Sequence, residues 1–86
     1  MSVDHAALMR LRIIAESDPS SLVRALQLLQ ARNLVPRRVT AERIDADLIQ
    51  IAIDVDTSEC TLETLGRIAA RLSELPIVIE AELTPA

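Results

Sequence analysis

The chain is predicted to fold as an α+β sandwich, a four-stranded antiparallel sheet with two helices on one face. Three observations predict it. Segments 8–15, 35–43, 48–56 and 77–83 alternate apolar and polar residues with the period of a half-buried strand. Segments 19–32 and 62–73 place apolar residues at helical spacing. The resulting order is β-α-β-β-α-β, and right-handed crossovers close that order into one sheet with both helices on the same side, the ferredoxin-like split βαβ arrangement.

In the first strand Met9, Leu11, Ile13 and Ala15 fall on one face, with Arg10 and Arg12 on the other. The run ends in the polar turn Glu16-Ser17-Asp18 and opens at once into a helix. Asp18 is suited to accept from the free N–H groups of the first turn. Pro19 suits the first helical position, where a missing N–H costs nothing. Leu22, Ala25, Leu26 and Leu29 form the buried stripe, and Asn33 fits the left-handed position that stops a helix. In the second strand Val35, Val39 and Ala41 share one face and Arg38, Thr40 and Glu42 the other. Pro36 cannot donate to a ladder, so this strand belongs at a sheet edge or Pro36 belongs at its start.

Asp45-Ala46-Asp47 makes a hairpin connection longer than two residues. The third strand alternates most strongly, with Ile49, Ile51, Ile53 and Val55 inward. Ser58 and Thr61 are candidate caps for the second helix, whose inner stripe is Leu62, Leu65, Ala69 and Leu72, flanked by Ile68. Gly66 lies mid-helix, where glycine costs about 1 kcal/mol relative to alanine, and close backbone packing would account for it. After Pro76 the fourth strand is expected to turn Ile77, Ile79, Ala81 and Leu83 inward.

Composition bounds the function. The 86 residues suit a single domain, with an ordered core over about 8–84, and half of them are apolar. Phe, Tyr and Trp are absent, which removes the stacking platforms of single-strand nucleic-acid binders. The net charge of −4 also disfavours binding along a phosphate backbone. Arg37-Arg38 with Arg43 is the one basic cluster, and it reads as a solvated strand or a partner contact. The lone Cys60 allows no internal disulfide and no CxxC site, and His5, the single histidine, falls in a stretch expected to fray. No metal set, cofactor motif, phosphate cradle or nucleophile–base pair is readable, so no catalytic residue is assigned. Asp54 and Asp56 stand two apart on one strand and are expected to be solvated carboxylates. No apolar run approaches membrane-spanning length and the first residues carry no secretory pattern, so the expected compartment is the cytoplasm.

A fold of this kind hosts many functions. The turn has no CxxC of a heavy-metal chaperone, the outward strand positions have no aromatics of an RNA-recognition motif, and one glycine cannot build an acylphosphatase cradle. Asp18-Pro19-Ser20-Ser21-Leu22 followed by Arg32-Asn33-Leu34-Val35-Pro36, over the whole element order, resembles the ACT domain, the amino-acid-sensing module of biosynthetic enzymes. Length and the segment from Ser17 to Leu26 look most like the short regulatory subunits of acetolactate synthase.

The resemblance implies a non-catalytic regulatory domain that binds a small amino-acid effector, a catalytic enzyme subunit, or both. Its ligand residues would be Ser17, Asp18, Ser20, Ser21, Asn33 and Val35. The ligand carboxylate would meet the N–H groups of Ser20 and Ser21 and the hydroxyls of Ser17 or Ser20. Ser20 stands where the family has glycine and Val35 where it has asparagine, which implies weak binding. A ligand-free structural dimerisation module and a free-standing amino-acid sensor are the alternatives, and a small enzyme is the least favoured.

ACT domains commonly assemble side by side, and an uncovered strand edge is a liability that a dimer removes. The expected homodimer pairs the second strand with its own copy through Arg38, Val39, Thr40, Ala41 and Glu42. Centring on Thr40 sets Arg38 opposite Glu42, whereas centring on Arg38 sets like charges face to face. On the open face Arg10 and Arg12 are expected to lie near Glu80 and Glu82.

Overall fold

The computed structural model describes residues 7–86; His5 lies outside the described residues. The elements are β1 (Leu8–Glu16), α1 (Pro19–Gln30), β2 (Arg38–Arg43), β3 (Leu48–Asp56), α2 (Leu62–Ser73) and β4 (Val78–Pro85). The sheet order is β2-β3-β1-β4 and every pairing is antiparallel. The ferredoxin-like βαββαβ arrangement expected from the periodicity is the one observed.

The inward faces of the two central strands supply most of the core. Leu11, Ile13 and Ala15 of β1 are directly paired with Ile53, Ile51 and Ile49 of β3, and all but Ile49 are completely buried. Ala25 and Leu29 of α1 and Leu65, Ile68 and Leu72 of α2 cover them. With no aromatic ring available, these branched aliphatic side chains fill the interior.

Local signals set the helix ends. Asp18 Oδ1 accepts from the Ser20 N–H at 2.8 Å, and Pro19 takes the first helical position. At the far end Asn33 adopts φ 57°, in the left-handed region. The Asn33 N–H then donates to Gln30 O at 2.9 Å and the Leu34 N–H to Leu29 O at 3.0 Å, the paired bonds that close a helix at such a residue. For α2, Thr61 Oγ1 accepts from the Thr64 N–H at 3.1 Å. In the β2–β3 hairpin Asp45 Oδ1 accepts from the N–H groups of Asp47 and Leu48 at 2.7 and 2.9 Å, a side-chain turn that replaces the missing glycine.

Five expectations need correction, the first being Leu62: expected in the inner stripe of α2, it stands at the first helical position and is 55% exposed, the stripe being Leu65, Ile68, Ala69 and Leu72. β2 begins at Arg38 rather than Val35, because Pro36 has no N–H to give; the first bond to β3 comes from the Arg37 N–H to Asp54 O, at 2.8 Å. Val35 is left 74% exposed. In β4 the register shifts by one residue, so that Ala15 pairs with Val78 and Ile14 with Glu80. The extra residue, Ile79, turns outward and is 59% exposed, while Val78 takes the buried place. Such a bulge resets the period of two, which alternation alone cannot foresee. Gly66 faces solvent, and a methyl group there would touch nothing within 4 Å, so close packing is not its reason. Finally, Asp54 and Asp56 are not solvated: they are 6% and 7% exposed, and each meets an arginine.

Candidate functional site

The polar turn between β1 and α1 is held from two sides. The Ser17 N–H donates to Asp47 O of the β2–β3 hairpin at 2.8 Å, and the Glu16 N–H donates to Ile77 O ahead of β4 at 2.9 Å. Ser21, almost fully buried, donates its hydroxyl to Glu16 O at 2.6 Å. Beside this fixed turn lies an open cleft of about 460 Å³, lined by Ser17, Asp18, Pro19, Leu22, Arg43 and Ile49. Arg43 and Ile49 are cross-strand partners on the helix side of β2 and β3, and the Arg43 guanidinium lines the cleft while its Nη2 donates to Ala46 O of the hairpin at 3.3 Å.

The donors expected to greet a carboxylate in this turn are already engaged. The Ser20 N–H and hydroxyl both donate to Asp18 Oδ1, at 2.8 and 2.7 Å, and the Ser21 N–H donates to Asp18 O at 2.9 Å. These bonds hold the Asp18 carboxyl below the usual carboxylate range, the backbone bond first, so it stays charged at neutral pH. The cleft therefore carries one fixed carboxylate, one guanidinium and an apolar floor of Leu22 and Ile49. Sequence reasoning gave Asp18 and Ser17 but missed Arg43, whose signal was its position at the end of the strand facing the turn.

Asn33 and Val35 lie at the other end of α1, about 18 Å along the helix from its start. Within one chain the structure brings Ser17 and Asp18 together and leaves Asn33 and Val35 apart from them. The five residues Arg38, Val39, Thr40, Ala41 and Glu42 form the free edge of the sheet, all exposed.

A second concavity lies on the open face. Arg10, Arg12, Arg38, Thr40, Gln50, Ala52 and Asp54 surround a basin of about 300 Å³. Arg10 grips Asp54 with two parallel bonds, Nε to Oδ1 at 2.7 Å and Nη2 to Oδ2 at 3.2 Å. That grip outweighs partial burial and lowers the Asp54 pKa. Glu82 is the cross-strand neighbour of Arg12, and Glu80 of Ile14, so the four charges do share the open face. Arg10, however, turns to Asp54 on β3 instead of to β4. Asp56 is paired with Arg37 at 2.9 Å and also accepts from the Ser58 N–H at 2.9 Å. The Arg37-Arg38-Arg43 cluster is thus divided among three places: an ion pair, the basin and the cleft.

Burial raises the Cys60 pKa, against an opposing effect of Arg32, so the thiol is not activated by its place near α2. Among the described residues no three His, Cys, Asp or Glu side chains gather as metal ligands, and no helix is long and apolar enough to cross a membrane.

The chain is similar in fold to the C-terminal domain of the MgtC protein from Mycobacterium tuberculosis, with a TM-score of 0.77 and 17% identity over 100% of this chain and 94% of that one. It is similar to the ACT domain of GTP pyrophosphokinase from Chlorobium tepidum, with a TM-score of 0.73 and 13% identity over 91% and 97% of the two chains. The regulatory subunit of aspartate kinase from Thermus flavus gives a TM-score of 0.68 and 20% identity, over 93% of this chain and 52% of that one. No curated protein matches the sequence. The sequence profile of the ACT-like domain matches residues 2–86. ACT domains are regulatory, ligand-binding domains, and with the profile spanning nearly its whole length this chain belongs to the ACT-like domain family.

Proposed function

We propose that this protein is a non-catalytic regulatory domain that dimerises through β2 and binds a small zwitterionic amino acid in the cleft beside the β1–α1 turn. The observation that carries the reading is that Asp18 and Arg43 line one cleft together with the apolar side chains of Leu22 and Ile49. An α-ammonium group matches the ionised Asp18, an α-carboxylate matches the fork of Arg43, and Leu22 and Ile49 suit a short aliphatic side chain. Opposite charges on ligand and site fix orientation, and the apolar floor selects size.

The dimer supports the same site. With β2 paired to its own copy about Thr40, the register set by Arg38 opposite Glu42 extends outward to place Val35 of the partner subunit opposite Asp45. The hairpin holding Asp45 is bonded to Ser17. Asn33 and Val35, distant within one chain, then approach the cleft of the other chain. Binding at that seam favours one arrangement of the two copies, and a catalytic subunit bound to the dimer would feel the change through linkage. The resemblance of residues 17–26 to acetolactate synthase regulatory subunits makes a thiamine-diphosphate enzyme of branched-chain synthesis the first partner to try.

Calorimetry with valine, leucine, isoleucine, serine and threonine tests the reading. Weak binding of one of them is expected, lost in Arg43→Gln. Asp18→Asn should weaken it and lower the melting temperature by a few degrees through the helix cap. No heat and no thermal shift with any of them supports the second reading, a ligand-free dimerisation module. That reading is favoured by one observation: the Ser20 and Ser21 N–H groups are already satisfied within the chain.

A further inference from the structure

The basin on the open sheet face is separate from the cleft under α1 and has a different chemistry. Its plan follows from the registers. One row across the sheet is Arg38, Asp54, Arg10 and Thr84; the next is Thr40, Ala52, Arg12 and Glu82. Ala52 is the small residue in the middle, and its methyl group leaves a depression between taller neighbours. Strands are spaced about 4.8 Å apart and successive rows on one face about 6.8 Å apart, so the Arg12 and Arg38 backbones stand about 12 Å apart diagonally across β3, with their long side chains able to converge over Ala52.

The charges do not cancel. Both carboxylate oxygens of Asp54 are taken by Arg10. The ion pairs among the described residues join Arg10 to Asp54, Arg37 to Asp56 and Arg67 to Glu63. Arg12 and Arg38 are in none of them, although Glu82 is the direct cross-strand neighbour of Arg12. Within one chain two guanidiniums outside any ion pair therefore flank the depression, with the Thr40 hydroxyl and the Gln50 amide as further donors; Arg38 also attracts Asp54 at longer range and, in the proposed dimer, stands opposite Glu42 of the partner subunit. The lining side chains sum to an excess of two positive charges, with Glu82 beside Arg12 and Glu42 beside Gln50 as the acids at the rim.

We propose that this basin is a binding site for a phosphate group, with Arg12 and Arg38 as its two clamps. A carboxylate is planar and presents one edge, which one guanidinium fork satisfies. A phosphate is tetrahedral and doubly charged, and it offers oxygens to two forks lying in different planes, with one left for Thr40. Asp54 does not compete, because its role is to fix Arg10 as one wall. The volume of about 300 Å³ admits a phosphate with a small organic residue. Apart from the Ala52 methyl group the lining side chains are polar, so the phosphate and not the remainder of the ligand supplies the recognition.

The experiment is a titration of the isotope-labelled protein, followed by amide NMR at constant ionic strength. The probes are orthophosphate, glycerol phosphate and diphosphate, with succinate as the control. Saturable shifts confined to the amides of Thr40, Gln50, Ala52 and their strand neighbours are expected with all three phosphates, and not with succinate. Free orthophosphate binding as tightly as glycerol phosphate identifies an ion site. Tighter binding of the ester or of diphosphate identifies a phosphorylated metabolite site. Arg12→Gln and Arg38→Gln are each expected to weaken binding by about tenfold, as the loss of a charge-assisted bond implies. Arg24→Gln, on the outside of α1, should leave it unchanged. Both clamp residues are on the surface, and an unchanged amide spectrum away from the basin and from β2 verifies that the variants fold; because Arg38 also belongs to the proposed dimer edge, Arg12→Gln, which does not, is the variant that tests the site independently of association. Absence of saturable shifts with every phosphate, equal binding of succinate, or full binding by the double variant overturns the proposal.

Discussion

At the β4 edge of the sheet the chain carries a bulge at Ile79, two outward acids in Glu80 and Glu82, and Pro85 near the strand end. The β2 edge has no bulge; its charges, Arg38, Glu42 and Arg43, are of both signs, and its proline, Pro36, lies outside the strand. β2 is a regular six-residue strand, exposed along its length, held chiefly by β3, and flanked by the exposed apolar side chains of Val35, Val39 and Ile44. α2 packs over β4, and among the described residues no helix packs comparably over β2. Bulges, charges and proline are the devices that stop a strand edge from recruiting another strand. The bulge and the like-charged pair interrupt the β4 edge, whereas β2 keeps a regular ladder and charges that are complementary to a second copy, in a domain small enough to gain from burial against a partner. The asymmetry supports a dimer through β2 and disfavours one through β4.

The largest effect is expected where that asymmetry is broken by charge. Arg38→Glu sets Glu against Glu42 of the partner subunit twice over in the Thr40-centred register. Removing two attractive pairs and adding two repulsive ones should weaken the dimer by about 2 kcal/mol, or roughly thirtyfold. Adding Glu42→Arg should restore most of the loss. Sedimentation velocity across a dilution series reads both. A wild-type monomer at micromolar concentration, or an Arg38→Glu protein as dimeric as wild type, would remove the interface.

Acid should sharpen the comparison from the inside of β2. Asp54 accepts the Arg37 N–H on its backbone and grips Arg10 with its side chain; Asp56 holds the Arg37 side chain where the chain enters β2. Both carboxyls are held below their usual pKa, Asp54 chiefly by the Arg10 bond and Asp56 chiefly by the Ser58 N–H. Groups with depressed folded pKa values contribute stability that is complete above the unfolded value, near about 4, and that is lost as pH falls through the folded value. The melting temperature should therefore be flat between about pH 7 and 5 and fall below about pH 4. Asp54→Asn should lower it at neutral pH and flatten the acid slope. Scanning calorimetry over that range checks the sign, and a stability that rises on acidification would contradict it.

The contrast between the edges was only half legible in the sequence. Pro36 pointed to β2 as an edge, and the strong alternation of Leu48 to Asp56 marked β3 as a strand with one buried face, but nothing local marked the bulge that sets the β4 edge apart. The helix signals at Asp18, Pro19, Asn33 and Thr61 are local, and local signals read well because the residues that satisfy them are neighbours in the chain. The bulge at Ile79 depends on how β4 must shift to keep Val78 against Ala15, and a periodic pattern carries no record of it. The same limit applies to the sites. Asp18 announced the β1–α1 turn, but Arg43 joins it only through pairing with β3. Arg10 and Asp54, forty-four residues apart in the chain, meet only once the β1–β3 register is known. A free arginine and a paired one look alike in a string of letters.

Gly66 gives a smaller effect and separates monomer stability from association. It is exposed, lies in the middle of α2 and has open space where a side chain would go. Gly66→Ala should raise stability by about 1 kcal/mol through helix propensity alone. The dimer constant should stay where it was, since α2 covers the β4 half and is remote from the proposed interface. Thermal melts and sedimentation on the same sample test the pair of statements, and a loss of stability would show a close approach at Gly66 that the fold does not contain.

The smallest effect is expected at Ile79, and it is the most direct test of the comparison. Ile79 is a large apolar residue on an edge strand, which by composition alone would mark a sticky surface. The bulge has already taken it out of the ladder: Ile14 pairs with Glu80 and Ala15 with Val78, so Ile79 has no partner to lose. Its side chain is more than half exposed, and a lysine there keeps its aliphatic stem along the same surface while extending its charge into water. Ile79→Lys should change stability by less than about 0.5 kcal/mol and leave the dimer constant unaltered. The matched substitution Val39→Lys, at the open edge, should impair dimerisation while leaving the monomer folded. If the two substitutions exchange their effects, so that lysine at residue 79 dissociates the dimer and lysine at residue 39 does not, then β4 is the associating edge.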